Sequence, residues 1–287
     1  MIRTIKTKQF KITAALLALI LTVSCILWNT ARVHASEVQI DNANVQTFAG
    51  AKLIANGKLA GTDQEAATMS VFVTGGSADK YNYSNVKWTH GGTSWVSESK
   101  MLYEGTGSAQ KIYACSPYVA DANDGVITVT ASEQVDRLVA TATDLTSGAV
   151  DLQMTHALTK LVLVPTFGTE VTSQTITSVE VGGMYATGDL KISDNSWSNL
   201  SEANATLEMT NNEVLVIPMA SCASFDVVIT MEDNRVFTTT VTCPDGKLEG
   251  GTQYNIKLQV GQDKVTIGGI TAEPWGSPVD SGMLETE

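Results

Sequence analysis

His156 is the residue best placed for chemistry. It lies in V-D-L-Q-M-T-H-A-L-T-K-L-V-L-V-P, residues 150–165, with Asp151 and Lys160 near it in sequence. An imidazole beside a carboxylate and an amine can move a proton if the three side chains converge. On or beside an apolar strand, a hydrogen-bonded histidine inside a domain is the stronger reading. His90 sits in the glycine turn His90-Gly91-Gly92 and reads as solvated. Residues 121–125, D-A-N-D-G, resemble a calcium loop. They lack its alternating acidic ladder and terminal glutamate, so a turn between strands is favoured. The chain has no H-E-x-x-H, G-x-S-x-G, phosphate loop or G-x-G-x-x-G. Its cysteines show no C-x-x-C and no zinc spacing. The sequence therefore reads as a non-enzyme without cofactor or metal.

The elements that carry these residues are strands. Val150, Leu152 and Met154 alternate with Asp151, Gln153 and Thr155, the period of a half-buried strand. From Leu161 to Val164 the run is wholly apolar, as for a strand covered on both faces. Pro165, which has no amide hydrogen, is expected to stop the ladder. Partner strands are expected at 69–74, 111–118, 126–132, 175–181, 214–217, 254–260 and 264–270. Gly182-Gly183 is expected to end the fourth of these. Val86, Trp88 and Trp95 flank the turn at His90, giving a hairpin in which the two rings pack across the pair. Phe225–Met231 and Val236–Val241 form a second hairpin around Asp233-Asn234. Its register brings Cys222 and Cys243 within about two residues of facing each other, so either a disulfide or two buried thiols is expected there. Strands every 8 to 12 residues without long helical patterns indicate sandwiches. The polar stretch 144–148 marks a boundary, giving halves 36–147 and 148–287.

Residues 1–35 read as a signal segment. Arg3, Lys6, Lys8 and Lys11 precede an uncharged run from Ile12 to Trp28. Two cleavage sites compete. Leu21 to Cys25 resembles a lipobox, with Cys25 taking the lipid. Val33-His34-Ala35 before Ser36 resembles a signal peptidase I site. Without residues 1–35 the chain keeps 13 basic against 30 acidic residues, a net charge of −17. That charge repels phosphate backbones, which excludes nucleic acid as a natural partner.

Several spaced features then converge. Trp88 and Trp95 precede Ser116-Pro117-Tyr118. The single histidine of the central run precedes L-T-K-L-V-L-V. Gly188-Asp189-Leu190 precedes Trp197, and Leu215-Val216-Ile217-Pro218 follows. G-G-T-Q-Y-N-I-K-L, residues 250–258, precedes V-T-I-G-G-I, residues 265–270, and Trp275. This order resembles the fimbrillin family, the Mfa-like pilin and anchor proteins of Bacteroidales, over Met69 to Trp275. The resemblance implies an all-β chain of two tandem transthyretin-like β-sandwich domains. It implies export to the outer membrane as a lipoprotein and a place in a type V pilus-like fimbrium. It also implies joining to other pilin subunits by donor-strand addition, after a protease trims an N-terminal strand at a basic residue. Between Ser36 and Met69 the only basic residues are Lys52 and Lys58. An accessory, tip or anchor subunit, or a pilin trimmed at lysine, is therefore expected, with host or bacterial surface ligands as adhesive targets. The alternative is a surface glycan-binding lipoprotein stacking sugars on Trp88, Trp95, Trp197 and Trp275. Solvent-facing coplanar rings would favour it; buried rings would favour the pilin.

Overall fold

The computed structural model describes residues 36–37, 39–40, 68–90, 95–104, 109–145, 149–150 and 152–275. These residues are built into strands, with three single-turn 3-10 segments among them at Asp79–Tyr81, Ala131–Glu133 and Pro244–Gly246. The strands before residue 147 are β1 (Ser36–Glu37), β2 (Gln39–Ile40), β3 (Thr68–Thr74), β4 (Tyr83–His90), β5 (Trp95–Ser97), β6 (Leu102–Tyr103), β7 (Lys111–Ser116), β8 (Val126–Thr130) and β9 (Leu138–Asp144). Next come β10 (Ala149–Val150), β11 (Thr155–His156), β12 (Thr159–Phe167), β13 (Ile176–Tyr185), β14 (Thr187–Lys191) and β15 (Ser196–Ser198). The last are β16 (Ala203–Glu208), β17 (Glu213–Val216), β18 (Ser224–Met231), β19 (Val236–Thr242), β20 (Thr252–Val260) and β21 (Val265–Pro274).

Period-two patterning explains the layers. In β18, Phe225, Val227, Ile229 and Met231 are buried while Ser224 and Asp226 face water. β18 lies in the sheet β16-β13-β18-β19, which faces β17-β12-β20-β21. In the N-terminal half, β11-β9-β7-β3-β4-β5 form one six-stranded sheet. Both its faces are covered. Met69, Val71 and Val73 of β3 enter a cluster with Trp88, Trp95, Met101, Leu152 and Met154. Phe72, on the other face, stacks on Tyr113 with ring centroids 5.1 Å apart and joins the larger cluster. That larger cluster also holds Ile127 and Val129 together with Leu161, Val227, Ile229 and Ile256. The two halves also share a sheet. β8 pairs with β14 from Val126↔Lys191 to Thr130↔Thr187, and β15 completes the order β15-β14-β8.

Three readings of the sequence change. Residues 150–165 are not one strand: β10, β11 and β12 divide them. Val150, Leu152 and Met154 are nonetheless all buried, as the alternation requires. Pro165 does not stop the ladder, because β12 stays paired with β20 to Phe167↔Val260. The Leu163 N–H points the other way, to the Asn212 carbonyl at 2.8 Å. Two residues on, Pro165 faces that same side after β17 has ended, so its missing N–H costs nothing. Gly182-Gly183 does not end β13 either. Gly183 adopts φ +79° at a register shift between Val181 and Met184, a bulge that only re-aims the strand.

Candidate subunit-joining interface

In the layer over Trp88 and Leu152, the described residues form two short ladders. Ser36↔Tyr103 and Glu37↔Leu102 pair antiparallel, and Gln39↔Ala149 and Ile40↔Val150 pair parallel. Leu102–Tyr103 and Ala149–Val150 do not pair with each other. Among the described residues, the segment 36–40 is the ladder partner of both. Met101 and Leu145, with Val150, Leu152 and Met154 in and after β10, form an apolar floor packed on Val71, Trp88 and Trp95. The Trp88 indole N–H donates to the Met101 sulfur at 3.3 Å. Such an arrangement can exchange one strand for another, since backbone groups on two flanks and a greasy floor are what an added strand satisfies.

His156 belongs to the joint between the halves. Its Nδ1 lies 2.8 Å and 3.0 Å from the two carboxylate oxygens of Asp136, and both residues are buried. Its ring stacks on Trp275 with centroids 3.7 Å apart and planes 14° apart. Of its two charged neighbours in sequence, Lys160 pairs with Glu213 at 2.8 Å, and Asp151 lies outside the described residues. Asp136 was missed because twenty residues of sequence separate it from His156. Nearby, the Gln134 side chain donates to the Leu215 carbonyl at 2.9 Å and accepts from the Leu215 N–H at 2.8 Å. The group therefore clamps the loop before β9 to β17 and to the end of β21.

The remaining candidates fall as follows. Ser36 begins β1, whereas Cys25, Ala35, Lys52 and Lys58 lie outside the described residues. Cys222 and Cys243 both lie buried at the base of the β18–β19 hairpin. Cys115 is buried on β7, and burial pushes its thiol up to about 11. Trp88, Trp95 and Trp275 are 3%, 6% and 5% exposed, and Trp197 is half-buried. Among the described residues no pair of solvent-facing indoles forms a stacking platform, so these tryptophans favour the pilin over the sugar reader. Residues 121–125 do form a turn, closed by an Asn123↔Val126 bridge.

A model of fimbrillin-like proteins matches residues 56–275. The chain belongs to the fimbrillin-like family. Membership makes it a fimbrial subunit of the cell surface, built to meet other fimbrial subunits. Solved structures agree on the all-β fold. A candidate cell adhesion protein from Bacteroides uniformis is 18% identical, with a TM-score of 0.63 and coverage of 84% of this fimbrillin-like chain and 99% of that one. Another from Bacteroides ovatus is 16% identical, with a TM-score of 0.60 and coverage of 84% and 97%. A fimbrial protein from Bacteroides vulgatus is 14% identical, with a TM-score of 0.50 and coverage of 83% and 99%. Among curated proteins, none matches.

Proposed function

We propose that this chain is an accessory subunit, at the tip or anchor of a type V pilus-like fimbrium, that joins its neighbours by β-strand addition and serves surface adhesion. The observation behind this reading is the double role of residues 36–40. If they leave, Leu102–Tyr103 and Ala149–Val150 keep unpaired N–H and C=O groups above an apolar floor. A strand from a neighbouring subunit satisfies both flanks at once. The absence of arginine between Ser36 and Met69 supports the accessory role. Segment 36–40 stays in its own slot unless the chain is cut at Lys52 or Lys58. A lipid on Cys25 would hold the protein at the outer membrane. Cleavage between Ala35 and Ser36 would instead leave β1 at the mature N-terminus. Host or bacterial surface molecules are the adhesive partners, and the charge of −17 argues against nucleic acid.

The test is strand exchange on the purified exported protein. A lysine-specific protease is applied and the new N-terminus sequenced. A fluorescent peptide of residues 36–52 is then offered to cut and intact chains. Uptake by the cut chain alone is expected. No uptake by a chain cut at Lys52 or Lys58 overturns strand addition. Spontaneous polymerisation after the cut overturns the accessory role in favour of a stalk.

A further inference from the structure

The β18–β19 ladder ends at Ser224↔Thr242. Just beyond, the Cys243 N–H donates to the Ala223 carbonyl at 3.0 Å, and the Cys222 N–H donates to the Gly246 carbonyl at 2.7 Å. The first bond continues the register to Ala223 opposite Cys243, and the second carries Cys222 out of it toward the turn at Gly246. There the Cys222 and Cys243 side chains come within hydrogen-bonding reach of each other, the approach that a disulfide, with its Cα atoms about 4.4–6.8 Å apart, requires. Ala223 between them faces water, whereas both thiols turn into the same core. Cys115 is apart from them on β7, its thiol directed to the Pro117 carbonyl at 3.9 Å.

We infer that Cys222 and Cys243 close a disulfide across the base of the β18–β19 hairpin as the exported chain folds, while Cys115 stays reduced. The oxidant is an external disulfide, of a protein or of a small thiol, met outside the cytosol. One cysteine thiolate attacks a sulfur of that disulfide, breaking its S–S bond and forming a mixed disulfide. The departing half takes up a proton. The second cysteine thiolate attacks the protein-bound sulfur and expels the other half. The pair loses two electrons and two protons, and the external disulfide gains them as two thiols. Timing follows from burial. In the finished fold, burial and then the neighbouring Cys222 thiol push Cys243 up to about 12. Only a thiolate attacks, so exchange after folding is slow and the bond forms while the hairpin is still open. The bridge then fixes β19, an edge strand lying against β21.

Protein purified from the exporting cell envelope is alkylated in denaturant and mapped by mass spectrometry. One alkylated cysteine, Cys115, and a linked Cys222–Cys243 peptide are expected. Alkylation of all three overturns the bridge. Reductant should lower the unfolding midpoint of the exported protein by about 5 °C. Cys222→Ser and Cys243→Ser should each show that loss, and the double variant no more. A parent midpoint indifferent to reductant overturns it equally. Glutathione disulfide added during refolding should oxidise the pair at least about tenfold faster than when added afterwards. Equal rates overturn the timing.

Discussion

In the C-terminal half, β12 and β20 share rungs from Lys160↔Gln253 to Phe167↔Val260, and β18 and β19 pair without interruption from Ser224 to Thr230. In the layer over Trp88 and Leu152, β1–β6 and β2–β10 share two rungs each among the described residues. Both regions cover apolar floors of the same kind, yet one is tied by long ladders and the other by a short inserted segment. Segments that exchange or bind are drawn from the least stable parts of a fold. The proposed strand addition would use this contrast, with the N-terminal layer receiving a neighbour and the C-terminal sandwich serving as the frame.

Deleting residues 36–40 should separate the two regions most strongly. Amide exchange at Leu102, Tyr103 and Val150 should accelerate on the order of a hundredfold, with Leu161 and Ile256 unchanged. A uniform rise across both regions would abolish the contrast. Next come matched truncations at two fully buried leucines. Leu161→Ala, between long ladders, should cost about 4 kcal/mol, and Leu152→Ala, under the short ladders, about 2 kcal/mol, because the looser layer can settle into the void. Equal losses by urea denaturation would show that the layers are equally rigid. Gln134→Ala removes both hydrogen bonds to Leu215 and should cost about 1–2 kcal/mol, loosening β17 and the loop before β9 together.

The smallest effect is acid sensitivity where the halves share a sheet. The Asn199 amide, then the Thr128 hydroxyl, hold the Asp189 carboxyl below its ordinary value. The folded chain therefore favours the ionised form. Its contribution is full above the ordinary carboxylate range and fades as pH falls through the lowered value. Asp189→Asn should flatten that part of a midpoint-against-pH curve, leaving neutral pH almost unchanged. An identical acid limb in the variant would remove Asp189 from the account.

Alternating segments were legible because period two is written in neighbouring residues. β18, β8 and the buried trio Val150, Leu152 and Met154 are examples. Stop signals were misread where their effect depends on a distant neighbour. Pro165 is harmless because β17 has already ended, and Gly183 bends β13 because β16 continues beside it. Pairings between remote segments left no local trace. Val38-Gln39-Ile40 shows alternation in sequence, but nothing there names residues 102–103 or 149–150 as partners. His156 drew notice, yet its contacts with Asp136 and Trp275 arise only when three separated segments meet. At Cys222 and Cys243 the hairpin register was readable from sequence, and the adjacency followed from it.

The pairing of β8 with β14 bears on how the molecule carries tension. A filament in flowing fluid is stretched, and the weakest connection yields first. Here backbone hydrogen bonds run straight from one half to the other, so neither half swings on a soft hinge. If neighbours join by an exchanged strand, give under such a pull is expected at those junctions before the seam between β8 and β14.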